Sequence, residues 1–184
     1  MDMIEETTGS GRDDRGVWKK AAITVPAIVI VGFLMGIVAN SGFANGWYAN
    51  LVTPSFQPPG WAFGVVWTTL YSMMGIALAV VLDAPKSPQR STALTLFAIQ
   101  LIGNFAWSPI FFGAHAIDMA LIVIVVTALL VAATIMRFWG VRPLAGALLL
   151  PYLAWLCLAT ALNYETGRLN PGANSHPLGL TGGK

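Results

Sequence analysis

Four stretches of this chain carry no Lys, Arg, Asp, Glu or His: residues 21–82, 91–114, 119–136 and 143–164. Runs of this length narrow the possible folds sharply. A membrane-spanning helix needs about 20 mostly apolar residues. A backbone placed in hydrocarbon must satisfy its own hydrogen bonds, which leaves helices or closed barrels. The last three runs fit one helix each. The first is too long for one and divides at a polar, Pro-rich middle. "AAITVPAIVIVGFLMGIVA" (21–39) reads as one helix and "WAFGVVWTTLYSMMGIALAVVL" (61–82) as the next, with "NSGFANGWYANLVTPSFQPPG" (40–60) between them. The expectation is an all-α membrane protein, a bundle of five transmembrane helices near 21–39, 61–82, 92–112, 117–138 and 143–164.

Composition agrees. Charged residues make up 10% of the 184 residues and hydrophobic ones 56%, whereas a soluble domain carries roughly 25% charged residues. A net charge of +2 gives no electrostatic reason to expect nucleic acid as a partner. The single cysteine, Cys157, excludes an intrachain disulfide and reads as a small apolar packing residue. The polar segment 1–20 reads as a disordered tail, 21–169 as the membrane domain and 170–184 as a second disordered tail. Lys19 and Lys20 before an apolar run also fit a signal peptide, but the run is long for one and no A-x-A-like site follows. The first helix is therefore expected to be retained.

Eight of the ten Lys and Arg residues fall on one side of this topology: Arg12, Arg15, Lys19, Lys20, Lys86, Arg90, Arg137 and Arg142. The positive-inside rule then predicts a cytoplasmic N-terminus and a non-cytoplasmic C-terminus. The first loop would face the non-cytoplasmic side, taking the membrane to be a helical inner membrane.

No acidic or basic residue falls in the middle of any predicted helix, which argues against ion-coupled pumping, since such pathways need intramembrane charge. The helices carry aromatic and amide groups instead. Phe63, Trp67 and Tyr71 recur every four residues on the second helix. The third places Gln100, Asn104 and Ser108 on one face with Trp107 beside them. The fifth aligns Trp155, Ala159 and Asn163. Buried amides need partners, so Gln100, Asn104 and Asn163 either bond helix to helix or line a pocket of aromatic walls and few polar groups. Trp18, Trp47, Trp61 and Trp139 lie near span ends, where an interfacial belt accounts for them. Gly32 and Gly36 form a G-x-x-x-G step that permits close helix approach, within the chain or between copies. Pro26, Pro109 and Pro151 are expected to kink or end helices. His115 and His176 are the only histidines, and His115 reads as a solvated loop residue rather than a haem ligand. The sequence offers no metal-ligand spacing, nucleophile motif or phosphate loop, and no cofactor is required by it.

Three motifs in order resemble those of the TspO/MBR family of tryptophan-rich sensory proteins: "WYANLVTPSFQPPGWAFGVVWTTLYSMMG", "QLIGNFAWSPIFFGA" and "PYLAWLCLATALNYETGRLN". The resemblance covers about residues 21–170. The resemblance implies a five-helix bundle, commonly a homodimer, whose Pro- and Trp-rich first loop lids a pocket. It implies porphyrins or other tetrapyrroles, related flat apolar drugs, and sterols or other membrane lipids as ligands. Carried over motif by motif, the pocket takes Trp47, Tyr48 and Phe56 from the lid, Trp67 and Tyr71 from the second helix, Asn104 and Trp107 from the third, and Trp155 and Ala159 from the fifth. Gln100 and Asn163 join them as flanking amides. Leu162, Tyr164 and Arg168 fit the proposed cholesterol pattern. Thr53 stands where family lids often carry Lys, which removes a cation that could meet a porphyrin carboxylate; Arg168 is the expected substitute. The implied function is a membrane sensor that binds tetrapyrroles. A light- and oxygen-dependent porphyrin-degrading enzyme, with Trp67 and Trp155 as electron donors, and a passive transporter are the alternatives.

Overall fold

The computed structural model describes residues 15–175 and 178–181. Among the described residues, five membrane-length helical spans run through Arg15–Val38, Gly60–Asp83, Pro88–Gly113, Ile117–Val141 and Pro143–Leu169. The first is α1 (Arg15–Val38). A short α2 (Gly46–Ala49) lies in the first loop, and α3 (Gly60–Asp83) follows it. The third span is α4 (Pro88–Ser108) continued by a π turn (Pro109–Gly113). Then come α5 (Ile117–Val141), the short α6 (Pro143–Leu148) and α7 (Leu150–Leu169). At 1.5 Å per residue the 24 residues of α3 reach about 36 Å, enough to cross a hydrocarbon core of about 30 Å. The chain is an integral, multi-pass membrane protein.

Two expectations about the ends are corrected. The first helix starts at Arg15 rather than 21. Residues 15–20 are held by Lys20, whose ammonium meets the Asp83 carboxylate at 2.5 Å and ties α1 to the end of α3. The expected tail at 1–14 lies outside the described residues. At the other end, residues 170–175 and 178–181 do not form a free tail. They turn back over the bundle, and Thr181 is buried.

Around the bundle the order is α1, α3, α6 with α7, α5, α4, and back to α1. The seam between α1 and α3 is set by glycine. A Cβ on Gly75 would stand 2.6 Å from the Val25 Cα, so the two backbones touch there. Beside this contact the Thr24 hydroxyl donates to the Gly75 carbonyl at 2.7 Å. Gly32 admits the Tyr71 ring, and a Cβ at Gly32 would collide with it. The G-x-x-x-G step is thus used within the chain, at least at its first glycine.

The prolines act in different ways. Pro26 sits inside α1 without ending it. Pro109 opens the π turn, where Ala114 N–H reaches back to the Pro109 carbonyl at 2.9 Å. The fifth span breaks at Leu149, just before Pro151, leaving α6 and α7 as separate pieces. The start of α4 uses Pro88 in its first turn and Ser87 as N-cap, the Ser87 hydroxyl accepting Arg90 N–H at 3.1 Å. Arg90 also donates from its guanidinium to the Val81 and Leu82 carbonyls at 3.0 Å each, closing the end of α3. A basic residue in the first turn of α4 therefore caps the end of α3. Away from the lid the core is built on Met74, Val81, Phe97, Phe138 and Tyr152, with Phe97 stacked on Phe138. Cys157, expected in packing, faces outward on α7. Trp18, Trp61 and Trp139 are exposed at span ends, where a belt would place them.

Candidate functional site

The α1–α3 seam opens toward the first loop. Its backbones touch at Gly75, a tyrosine ring fills it at Gly32, and at Gly64 a Cβ would meet nothing within 4 Å. This divergence, roofed by the loop, leaves a cavity of about 640 Å³. Pockets for drug-sized ligands run roughly 300–1,000 Å³.

The roof is built by Asn45, a residue the sequence reading missed. Its carboxamide oxygen accepts the Trp47 and Tyr48 N–H groups at 3.0 and 3.1 Å, capping α2. Its Nδ2 donates to the Phe112 carbonyl at 3.2 Å. One buried Asn both nucleates α2 and fastens it to the π turn. The signal was an Asn one residue before a Gly-led turn of helix. Tyr48 packs beneath, edge-on to Phe112 at 5.1 Å, and donates its hydroxyl to Gln57 Oε1 at 3.2 Å. Burial holds the Tyr48 phenol above its usual acidity range, and the bond to Gln57 only partly opposes this.

Aromatic rings form the walls. Trp67 lies against Tyr71 with centroids 5.0 Å apart, and Trp155 meets Trp67 edge-on at 6.4 Å and Phe63 at 5.6 Å. Trp107 stacks on Phe111 at 4.8 Å. Ala159 and Asn163 continue the α7 side of the wall. The amides of the wall do both things left open for them. Asn104 accepts from the Tyr71 hydroxyl at 3.1 Å and donates to the Tyr152 hydroxyl at 2.9 Å, while lining the cavity. Asn163 accepts from Trp107 Nε1 at 3.1 Å and donates to the Ile117 carbonyl at 3.0 Å, again while lining it. Trp155 and Ser41 also line the space, but the Trp155 indole N–H and the Ser41 hydroxyl are themselves buried and have no hydrogen-bond partner among the described residues. Among the described residues no charged side chain lines the cavity. The space suits a flat, apolar molecule that offers one or two hydrogen-bonding atoms.

Of the residues proposed from sequence, Tyr48, Trp67, Tyr71, Asn104, Trp107, Trp155, Ala159 and Asn163 share this cavity. Three do not. Trp47 turns away from it and stacks on the His115 ring, centroids 4.3 Å apart. Phe56 is about half exposed on the outside of the loop, because the Pro54 side of that turn is the buried one. Gln100 is fully buried one turn of α4 further from the lid, outside the cavity wall and without a hydrogen-bond partner among the described residues.

The cholesterol-pattern residues separate. Leu162 is buried and lines the cavity, whereas Tyr164 and Arg168 are exposed on the other side of α7. A spacing of two residues turns a helix by about 200°, so the pattern does not form one face. Arg168 pairs with Glu165 at 2.5 Å and does not reach the cavity as a stand-in cation. Thr53 is also outside the wall, exposed on the loop. Residues missed from sequence include Phe33 and Gly36 of α1, Phe111 and Phe112 of the π turn, and Gln57 of the loop. Phe33 belongs to a helix that is apolar all round, so periodicity offers no signal for it.

The family model described as TspO/MBR matches residues 22–169. Protein CrtK of Rhodobacter capsulatus is 38% identical over 153 residues, covering 82% of this chain and 96% of that protein. The human translocator protein is 40% identical over 157 residues, covering 80% and 93%. A tryptophan-rich sensory protein of Cereibacter sphaeroides is 44% identical over 124 residues, covering 67% and 77%.

Proposed function

The chain belongs to the TspO/MBR family, and on that premise we propose that it is a membrane sensor that binds tetrapyrroles or related flat apolar molecules between its helices. The observation that carries this reading is the aromatic cavity under the first loop. Trp67, Tyr71, Trp107 and Trp155 present π-faces and edges to one space of about 640 Å³. Flat conjugated rings gain both apolar burial and preferred ring geometry against such walls.

The uncharged wall qualifies the ligand. A porphyrin would keep its carboxylates at the mouth, in water, rather than among the wall residues, since an unpaired buried carboxylate is strongly disfavoured. The same space accepts a sterol or another membrane lipid by shape and polarity. Sensing in the cell membrane of a bacterium, with the lid on the non-cytoplasmic side and the chain paired as a homodimer, completes the proposal.

The test is a titration of the purified full chain with protoporphyrin IX, following tryptophan fluorescence. Saturable quenching that weakens at least tenfold in Trp67→Ala with Trp155→Ala is the expected result. Quenching equal to that of an unrelated membrane protein, or unchanged in the double variant, would sink the reading.

A further inference from the structure

The segment after α7 runs past the residues matched to the family, 22–169, yet it is bonded into the site. Its first contact is with the lid. Asn170 accepts the Val52 N–H at 2.8 Å and returns an N–H to the Val52 carbonyl at 2.9 Å, the two bonds a strand partner would make. Three residues on, the Ala173 carbonyl accepts the Trp47 indole N–H at 3.3 Å. The segment then crosses to the turn before α5. Ser175 N–H donates to the His115 carbonyl at 3.0 Å, and Asn174 Oδ1 accepts the Ile117 N–H at 3.1 Å.

Its far end is fixed by Asp118, which is 1% exposed. One carboxylate oxygen accepts the Leu178 and Leu180 N–H groups at 2.7 and 3.3 Å, and the other accepts the Thr181 hydroxyl at 2.8 Å. Thr181 in turn seats against Gly167, where a Cβ would stand 2.6 Å from it. A buried carboxylate with three donors converging on it is a stable anchor, because each bond is charge-assisted.

The same chain of bonds reaches the cavity wall. The Ile117 peptide gives its N–H to Asn174 and takes the Asn163 N–H on its carbonyl, and Asn163 holds the Trp107 indole. We infer that residues 170–175 and 178–181 form a strap, anchored on Asp118, that holds the first-loop lid down and sets how fast ligand enters and leaves the cavity. This is regulation of the site proposed above and rests on that reading for its ligand. The strap touches the lid but not the cavity, so it governs the rate of exchange more than the depth of binding.

The experiment uses the full chain in lipid nanodiscs, with Thr181→Val, Asp118→Asn, and a chain ending at Leu169. Hydrogen–deuterium exchange of peptides covering 43–57 reports lid opening without any ligand. Loss of charge-assisted bonds is expected to speed that exchange roughly tenfold or more in Asp118→Asn and in the shortened chain, and by a smaller factor in Thr181→Val. Exchange in α3 and α5 should stay near wild type. Stopped-flow mixing with protoporphyrin IX should show association and dissociation both faster, with their ratio changed less than about threefold, because the cavity contacts are untouched. Lid exchange within twofold of wild type in the shortened chain would overturn the inference. So would acceleration spread equally over all helices, which would make the segment a general brace. If the larger changes prevent folding, Thr181→Val combined with Asn170→Ala decides by the same exchange measurement. Absence of any quenching in the wild-type chain would instead reject the ligand reading and leave lid exchange to judge the strap.

Discussion

Replacing Asn104 by Leu keeps the branching and number of side-chain heavy atoms and removes an amide that joins two tyrosines. Asn104 accepts from Tyr71 and donates to Tyr152. Tyr152 is 0% exposed and Tyr71 is 7% exposed, bordering the cavity. The stranded Tyr152 hydroxyl bears the penalty of an unsatisfied buried polar group, roughly 1–3 kcal/mol. Tyr71 can turn its hydroxyl toward the cavity and loses about 0.5–1.5 kcal/mol, the net worth of an ordinary bond. Intramembrane side-chain bonds measured by double-mutant cycles average about 0.6 kcal/mol, which favours the lower ends of both ranges. A total loss of about 2 kcal/mol is expected for Asn104→Leu in reversible unfolding in mixed micelles. The decisive quantity is the coupling with Tyr152→Phe, which removes the second hydroxyl. It should be roughly 0.6–1.7 kcal/mol, so the double variant is less unstable than the sum of the singles. Strict additivity would refute the claim that Asn104 bonds the wall together, leaving it as a cavity-lining amide only.

Two further outcomes follow from the seam and the lid. Gly75→Ala should destabilise the bundle by about 2 kcal/mol or more in the same unfolding assay, because its Cβ meets the Val25 backbone at 2.6 Å and backbone cannot swing aside; Gly64→Ala, facing open space, should change stability by less than about 0.5 kcal/mol. Burial raises the Tyr48 phenol above its ordinary value of 10.0, so the folded lid keeps its proton after the open one loses it. The stabilising contribution is therefore complete below pH 10 and declines as pH rises further, which lid exchange measured from pH 8 to 11 in wild type and Tyr48→Phe should reveal as a loss in the former alone.

The spans were legible because hydrocarbon imposes one rule on every residue in it, and charge placement reads that rule directly. Helix ends were less so. Lys19 and Lys20 read as the polar limit of the first span, but Lys20 has Asp83 to pair with, and α1 continues back to Arg15. That pairing joins residues 63 positions apart, which no local pattern announces. The cavity was legible on α3, α4 and α7, where large aromatics and amides interrupt apolar runs. It was not on α1, where Gly32, Gly36 and Phe33 look like any lipid-facing stretch. Trp47 and Phe56 were assigned inward because they are aromatic and sit in the lid. The capping bonds of Asn45 and the buried Pro54 decide which way α2 and its neighbours face, and both aromatics end outside. The last segment was read as a tail from its Gly, Pro and Asn content. Composition could not reveal that Asp118, an acid at the start of a membrane helix, needs donors and finds them there.

The most direct measurement is the structure of the full chain with protoporphyrin IX bound. The account predicts the macrocycle beneath the first loop, bordered by Trp67, Trp107 and Trp155, with its carboxylates at the mouth. A porphyrin seated on the outer face of α7 beside Tyr164 and Arg168, with the aromatic cavity holding none, would contradict it.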